Sequence, residues 1–222
     1  MTAKPCFAVV LSGCGVYDGA EIHEAVLTLL AIDRQGGSYQ CFAPDKPQMH
    51  VVNHLTGQEA PGESRNVLVE SARIARGNIK PLSQFSPVEF DALVFPGGFG
   101  AAKNLCSFAT QGPDCSVDPD TEKAVRAMNA AGKPIGALCI APALMAKIFG
   151  QGIDVTIGSD EGTAKAVEAM GARHTQAGHG GVVVDKAHKM VTSPCYMLDS
   201  SISQIADGAE NTVKTLLTLM GR

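Results

Sequence analysis

A doubly wound α/β fold, with a mostly parallel sheet between two layers of helices, is what this 222-residue sequence predicts. Two observations carry the prediction. Short apolar runs closed by glycine or proline alternate with longer segments of helical periodicity, and strands separated by helices pair in parallel. Three of those runs end in glycine turns, acids or a cysteine, which suits an open sheet whose ligands sit beyond the carboxyl ends of its strands.

The elements follow in order. Residues 6–12 (CFAVVLS) read as a buried strand that enters the glycine loop 13–19 (GCGVYDG). Residues 20–37 read as an amphipathic helix with Ile22, Val26, Leu29, Leu30 and Ile32 on its apolar side, ended by Gly36 and Gly37. A strand is expected over 39–44, closed by Pro44, and another over 91–96, running into GGFGAAKN. The interval 45–90 is long for one connection, and a helix is expected within it over 63–77. Then come a helix over 119–132, a strand over 134–139 and a helix over 141–150. A strand over 154–159, a helix over 162–171, a hairpin over 180–193 turning at Lys186-Ala187-His188, and a closing helix over 200–220 complete the chain. No repeat or linker interrupts it, so one domain over 1–222 is expected.

Bulk composition narrows the function. Hydrophobic residues are 45% and charged residues 18%, a globular balance. A net charge of −4 without any Lys/Arg-rich run disfavours nucleic-acid and anionic-membrane partners. The apolar run Cys6–Leu11 is too short for a secretory signal and leads into glycines, and no segment is long enough to span a bilayer. Seven irregularly spaced cysteines without a C-x-x-C fit reduced thiols better than a disulfide scaffold or a structural zinc site, so a cytoplasmic location and no metal are expected.

Three strand ends carry the candidate chemistry. Cys139 lies where a strand passes into a helix whose first turn holds Pro142, so unpaired helix N–H groups would point at the thiol and lower its pKa. The same thiol could instead be a packed core cysteine. Gly97 and Gly98 could aim backbone N–H groups at a bound oxygen, or simply supply a turn with positive φ. The segment lacks the G-K-[ST] of a P-loop and breaks the dinucleotide fingerprint at Lys103, so no nucleotide cofactor is expected. Asp18, Glu21 and Glu24 step by three. They read either as solvated first-turn acids, Glu21 and Glu24 sharing a helix face, or, for Glu24 one turn into the helix, as a carboxyl beside the thiol that shuttles protons.

Together the loops resemble the ThiJ/PfpI superfamily, whose fold is similar to the class I glutamine amidotransferase domain. LSGCGVYDGAEIHEA, NHLTG, FPGGFGAAKNL and CIAPAL are similar to its ElbB branch, the lycopene-enhancing or isoprenoid biosynthesis proteins. The resemblance implies that Cys139 is an elbow nucleophile, that Gly98 and Ile140 form an oxyanion hole, and that a first-helix glutamate pairs with the cysteine. Glu24 is the first choice for that glutamate and Glu21 the reserve. It also implies a homodimer and a cofactor-independent glyoxalase acting on a small aldehyde. Ile140 stands where protease-like members have histidine, and no histidine follows in DVTIGSD; a hydrolase or amidase of glutamine amidotransferase type, the further alternative, would require His174, His179 or His188, which match no motif, to approach Cys139. A non-enzymatic redox-sensing or partner-binding role linked to isoprenoid metabolism is the alternative. Around the centre, Gly97, Cys14, Lys103 and Asn104 are expected to line the pocket. His50 and His54 have a metal-compatible spacing but no acidic third ligand. Cys106, Cys115 and Cys195 have no constellation around them, though Cys195 could lie near the cleft.

Overall fold

Phe7, Ala8, Val9, Val10 and Leu11 are fully buried, so this strand needs cover on both faces. The computed structural model describes residues 4–221 and shows how that cover is built. Its strands are β1 (Cys6–Val10), β2 (Ser38–Ala43), β3 (Val52–Asn53), β4 (Gln58–Glu59), β5 (Ile79–Pro81), β6 (Ala92–Phe95), β7 (Ile135–Leu138), β8 (Asp154–Val155), β9 (Arg173–His174), β10 (Val183–Asp185) and β11 (Met190–Ser193). Its helices are α1 (Ile22–Arg34), α2 (Val67–Ile74), α3 (Phe99–Lys103), α4 (Phe108–Gln111), α5 (Pro119–Ala130), α6 (Ala141–Phe149), α7 (Glu161–Ala169) and α8 (Ile202–Leu219). Met1–Ala3, the start of the segment read as lacking a secretory signal, lie outside the described residues.

Alternation along β1 sends Phe7, Val9 and Leu11 to one core, with α1 and α8, and Ala8 and Val10 to the other, with α5 and α6. Ala25, Leu29 and Ile32 of α1 meet Ile205, Ala209, Val213 and Leu216 of α8 in the first core. Val125 and Met128 of α5 meet Leu144 and Met145 of α6 in the second. Helix starts are set by local chemistry. Asp118 accepts from the Thr121 N–H at 3.1 Å with Pro119 in the first turn of α5, and Ser201 and Gln204 form a reciprocal capping box on α8.

The main sheet runs β10-β11-β7-β6-β1-β2-β5, and every neighbouring pair is parallel except β10–β11. The chain order reverses between β1 and β6, which opens a crevice beyond their carboxyl ends. The doubly wound expectation therefore holds. Three details differ from it. The strand expected over 154–159 shrinks to Asp154–Val155 and pairs only with β9, outside the main sheet. The long interval 45–90 holds α2, the edge strand β5 and a small hairpin, β3–β4. The hairpin over 180–193 exists, but its second strand, β11, also lies parallel to β7. Among the described residues no helix is long and apolar enough to cross a membrane.

Candidate active site

The crevice is built from four strand ends. After β1, the loop 13–19 is pinned from below: Asp18, buried, accepts the Val52 N–H at 2.7 Å, and Asn104 donates to the carbonyls of Ser12 and Asp18 at 2.8 and 2.9 Å. The NHLTG hairpin braces the same loop, with the His54 and Tyr17 rings 5.0 Å apart at a 33° tilt and His54 Nε2 accepting the Tyr17 N–H at 3.2 Å. Gly15 permits that approach, since a Cβ there would run into the His54 ring. The loop delivers Glu21 as the N-cap of α1, and Glu21 Oε2 accepts the Glu24 N–H at 2.7 Å.

After β7, Cys139 takes φ +58°, the left-handed region that a β-carbon makes costly, as a tight strand-to-helix turn requires. Its N–H donates to Ser193 at the end of β11, at 2.8 Å, and backbone N–H groups of Gly98 and Ile140 hydrogen-bond to its sulfur. Glu24, from the first turn of α1, is fully buried beside it, and the two side chains are hydrogen-bonded. Glu24 Oε2 accepts the Gly97 N–H at 2.9 Å and Oε1 the Tyr196 N–H at 3.1 Å. Gly97 has no room for a side chain: a Cβ there would press on Cys139 Cβ and lie 2.6 Å from Glu24 Oε2 and 2.9 Å from Cys139 Sγ.

Burial raises the Glu24 carboxyl from 4.5 to about 7, with Glu21 pushing the same way and the N–H groups of Tyr196 and Gly97 opposing it. The Cys139 thiol moves up as well, first because burial disfavours a thiolate and next because Glu24 is negative, against the pull of Gly98 and Ile140. This corrects the expectation of a lowered thiol pKa. Cys139 is only 7% exposed, so desolvation outweighs the helix terminus. A dyad in which each anion opposes the other favours keeping one proton between them.

The structure thus brings Cys139, Glu24, Gly97, Gly98 and Ile140 together. Glu21 lines the cleft, but as a helix cap whose carboxylate faces the Glu24 backbone, so it does not share the helix face expected for it. Cys14, Lys103 and Asn104 lie off the cleft wall. Cys14 feels Glu70 and Arg73 instead, Lys103 Nζ donates to the Tyr17 carbonyl at 3.0 Å, and Asn104 is spent on loop carbonyls and on the Met49 N–H. Sequence reading missed Tyr196. It follows Cys195, itself at φ +43°, and it lines the cleft while its N–H holds Glu24. Its place follows from β11, which runs parallel to β7 and so ends at the same edge. Cys106 and Cys115, without an evident partner in the sequence, hydrogen-bond to each other through their thiols. No His is among the cleft-lining residues; His179 bonds Ser200 and His188 bonds Asp185. Among the described residues no group of three His, Cys, Asp or Glu could hold a metal ion.

A doubly wound sheet with a strained cysteine at the end of a central strand, faced by a Gly-Gly turn and a buried glutamate, defines an amidotransferase-like α/β protein. No family model matches the sequence. It is 49% identical over 224 residues to the human glutamine amidotransferase-like class 1 domain-containing protein 3, mitochondrial, covering 97% of this chain and 83% of that protein. To the zebrafish (Danio rerio) ES1 protein, mitochondrial, it is 36% identical, covering 97% and 86%. The structure of an isoprenoid biosynthesis protein with amidotransferase-like domain from Ehrlichia chaffeensis superposes with a TM-score of 0.89 at 37% identity, over 96% of this chain and 99% of that one. Glyoxalase III from Candida albicans shares the fold at a TM-score of 0.59 and 14% identity, over 95% and 97%. The chain belongs to the family of ES1 and amidotransferase-like class 1 proteins. The mitochondrial relatives overturn the cytoplasmic expectation. Irregular cysteine spacing without a C-x-x-C does not single out the cytoplasm.

Proposed function

We propose that the protein is a cofactor-independent isomerase-hydrolase of 2-oxoaldehydes, a glyoxalase, with Cys139 as nucleophile and Glu24 as proton carrier. The observation that carries this reading is the sealed Cys139–Glu24 pair, in which a carboxyl at about 7 hydrogen-bonds a thiol. The Cys139 sulfur attacks the aldehyde carbon while its proton passes to Glu24. The former carbonyl oxygen, one bond from the carbon now joined to sulfur, lies within reach of the Gly98 and Ile140 N–H groups, and protonation completes a hemithioacetal. Glu24 then removes the C–H proton of that carbon and returns it to the neighbouring carbonyl carbon through an enediol, leaving a 2-hydroxy thioester. Water cleaves the thioester to a 2-hydroxy acid and frees the thiol. The net reaction adds one water and needs no external oxidant or reductant.

Two other readings fit the site less well. A redox sensor gains from an exposed, low-pKa thiolate, whereas Cys139 is buried and its pKa is raised. Glutamine hydrolysis calls for a histidine beside the cysteine and a cation for the substrate carboxylate, and no His, Lys or Arg lines the cleft among the described residues. The test is glycolate and lactate formation from glyoxal and methylglyoxal by the purified protein. Cys139→Ala and Glu24→Gln should each lower turnover by roughly two orders of magnitude or more. Full turnover by either variant would end the proposal.

A further inference from the structure

The cleft above Cys139 holds about 580 Å³, inside the roughly 300–1,000 Å³ that enclose drug-sized ligands. That is far more than glyoxal or methylglyoxal can fill. Its walls are apolar close to the reacting atoms. Phe99 directly follows the donor Gly98, Ile140 is itself the second donor, and Val16, Phe108 and Met197 continue the surface. Phe99 is 49% exposed, a half-open aromatic surface on the cleft wall. The charged lining groups are Glu21 and Asp160, both acidic. The nearby Lys103 sits 5.5 Å over the Phe99 ring with its ammonium donating to the Tyr17 carbonyl, off the cleft wall.

Resting on the glyoxalase reading of this site, we infer that its preferred substrates are uncharged 2-oxoaldehydes with an alkyl chain or aryl group larger than methyl. The reactive dicarbonyl end sits at Cys139, and the chain lodges against Phe99, Phe108 and Met197. A negatively charged tail meets Glu21 and Asp160 with no cation to receive it, so phosphorylated or carboxylate-bearing aldehydes are rejected.

The experiment measures kcat/KM for a series of 2-oxoaldehydes with methyl, propyl and pentyl groups, for phenylglyoxal, and for a pentyl analogue ending in carboxylate. Each added methylene should raise kcat/KM about fourfold until the chamber fills. The carboxylate should erase that gain, and Phe108→Ala should reduce the gain per methylene. A second arm measures binding of methyl ketones of the same chain lengths, which lack the aldehyde and cannot react; affinity should rise about fourfold per methylene. If the aldehydes are consumed but neither kcat/KM nor ketone affinity rises with chain length, the chain-lodging inference is wrong and the glyoxalase reading stands. If ketone affinity rises but no aldehyde is consumed, the glyoxalase reading is wrong, while the chamber's selection for an apolar chain holds. An ω-carboxylate analogue used as well as its neutral counterpart overturns the charge selection.

Discussion

Glu24 offers a measurement in which stability and chemistry report on the same proton. Its carboxyl is raised from 4.5 to about 7 in the folded protein, so between those values the native state holds a proton that the unfolded chain has lost. The slope of unfolding free energy with pH is then negative, and stability is lost as pH climbs through this window. At about 1.4 kcal/mol per unit, the interval from 4.5 to about 7 amounts to roughly 3 kcal/mol. The Cys139 thiol, raised by burial and by Glu24, stays neutral in both states over this range and adds nothing. Glu24→Gln removes the titration. It leaves an amide nitrogen facing one of two N–H donors, those of Gly97 and Tyr196, at a cost of about 1–3 kcal/mol at every pH. Urea unfolding of both proteins at intervals from pH 4.5 to 7.5 separates the terms. The advantage of wild type over the variant should shrink by roughly 3 kcal/mol as pH rises. A difference that stays flat across the window would refute the assignment of a displaced, buried carboxyl at position 24.

Other consequences are as direct. Because Glu24 must be ionised to accept the thiol proton, kcat/KM for methylglyoxal should fall on the acid side with a limb centred at about 7, whereas a limb near the ordinary 4.5 would contradict the raised carboxyl. Gly97→Ala places a methyl 2.6 Å from Glu24 Oε2. It should cost about 1–3 kcal/mol by overpacking and roughly 100-fold in turnover by displacing the dyad, read by urea unfolding and by lactate formation. Asn104→Ala strands the carbonyls of Ser12 and Asp18 and the Met49 N–H. It should destabilise the fold by about 1–3 kcal/mol, and an unchanged midpoint would show that the loop needs no such clasp.

The legible part of the site was the part written as contrast along one dimension. Short apolar runs ending in a glycine turn announced β1 and β6, a third running into Cys139 ahead of Pro142 announced β7, and the chain crossing between them through helices made their carboxyl ends share an edge. That logic places Cys139, Gly98 and Glu24 near one another before any coordinates exist. Three-dimensional counting decides what it does not reach. Alternation over 180–193 marks a hairpin, and a hairpin hides that β11 runs parallel to β7, so the pattern does not group its end with the other three. The cost was Tyr196, whose N–H holds the dyad carboxylate. The direction of the thiol shift was likewise hidden, because helix N–H groups are read from the next few residues while burial comes from residues far away in sequence: Gly97, Tyr196 and Glu24 close over Cys139 from three other strand ends. Lys103 and Asn104 show the converse error. Both follow the glycine turn in sequence, yet the short helix α3 carries them away from Cys139 toward the loop after β1, where their polar atoms meet carbonyls instead of substrate. Nearness to a motif in sequence identifies a pocket residue only while the chain remains at the strand end; once a helix begins, the turn of the helix decides which side faces the cleft.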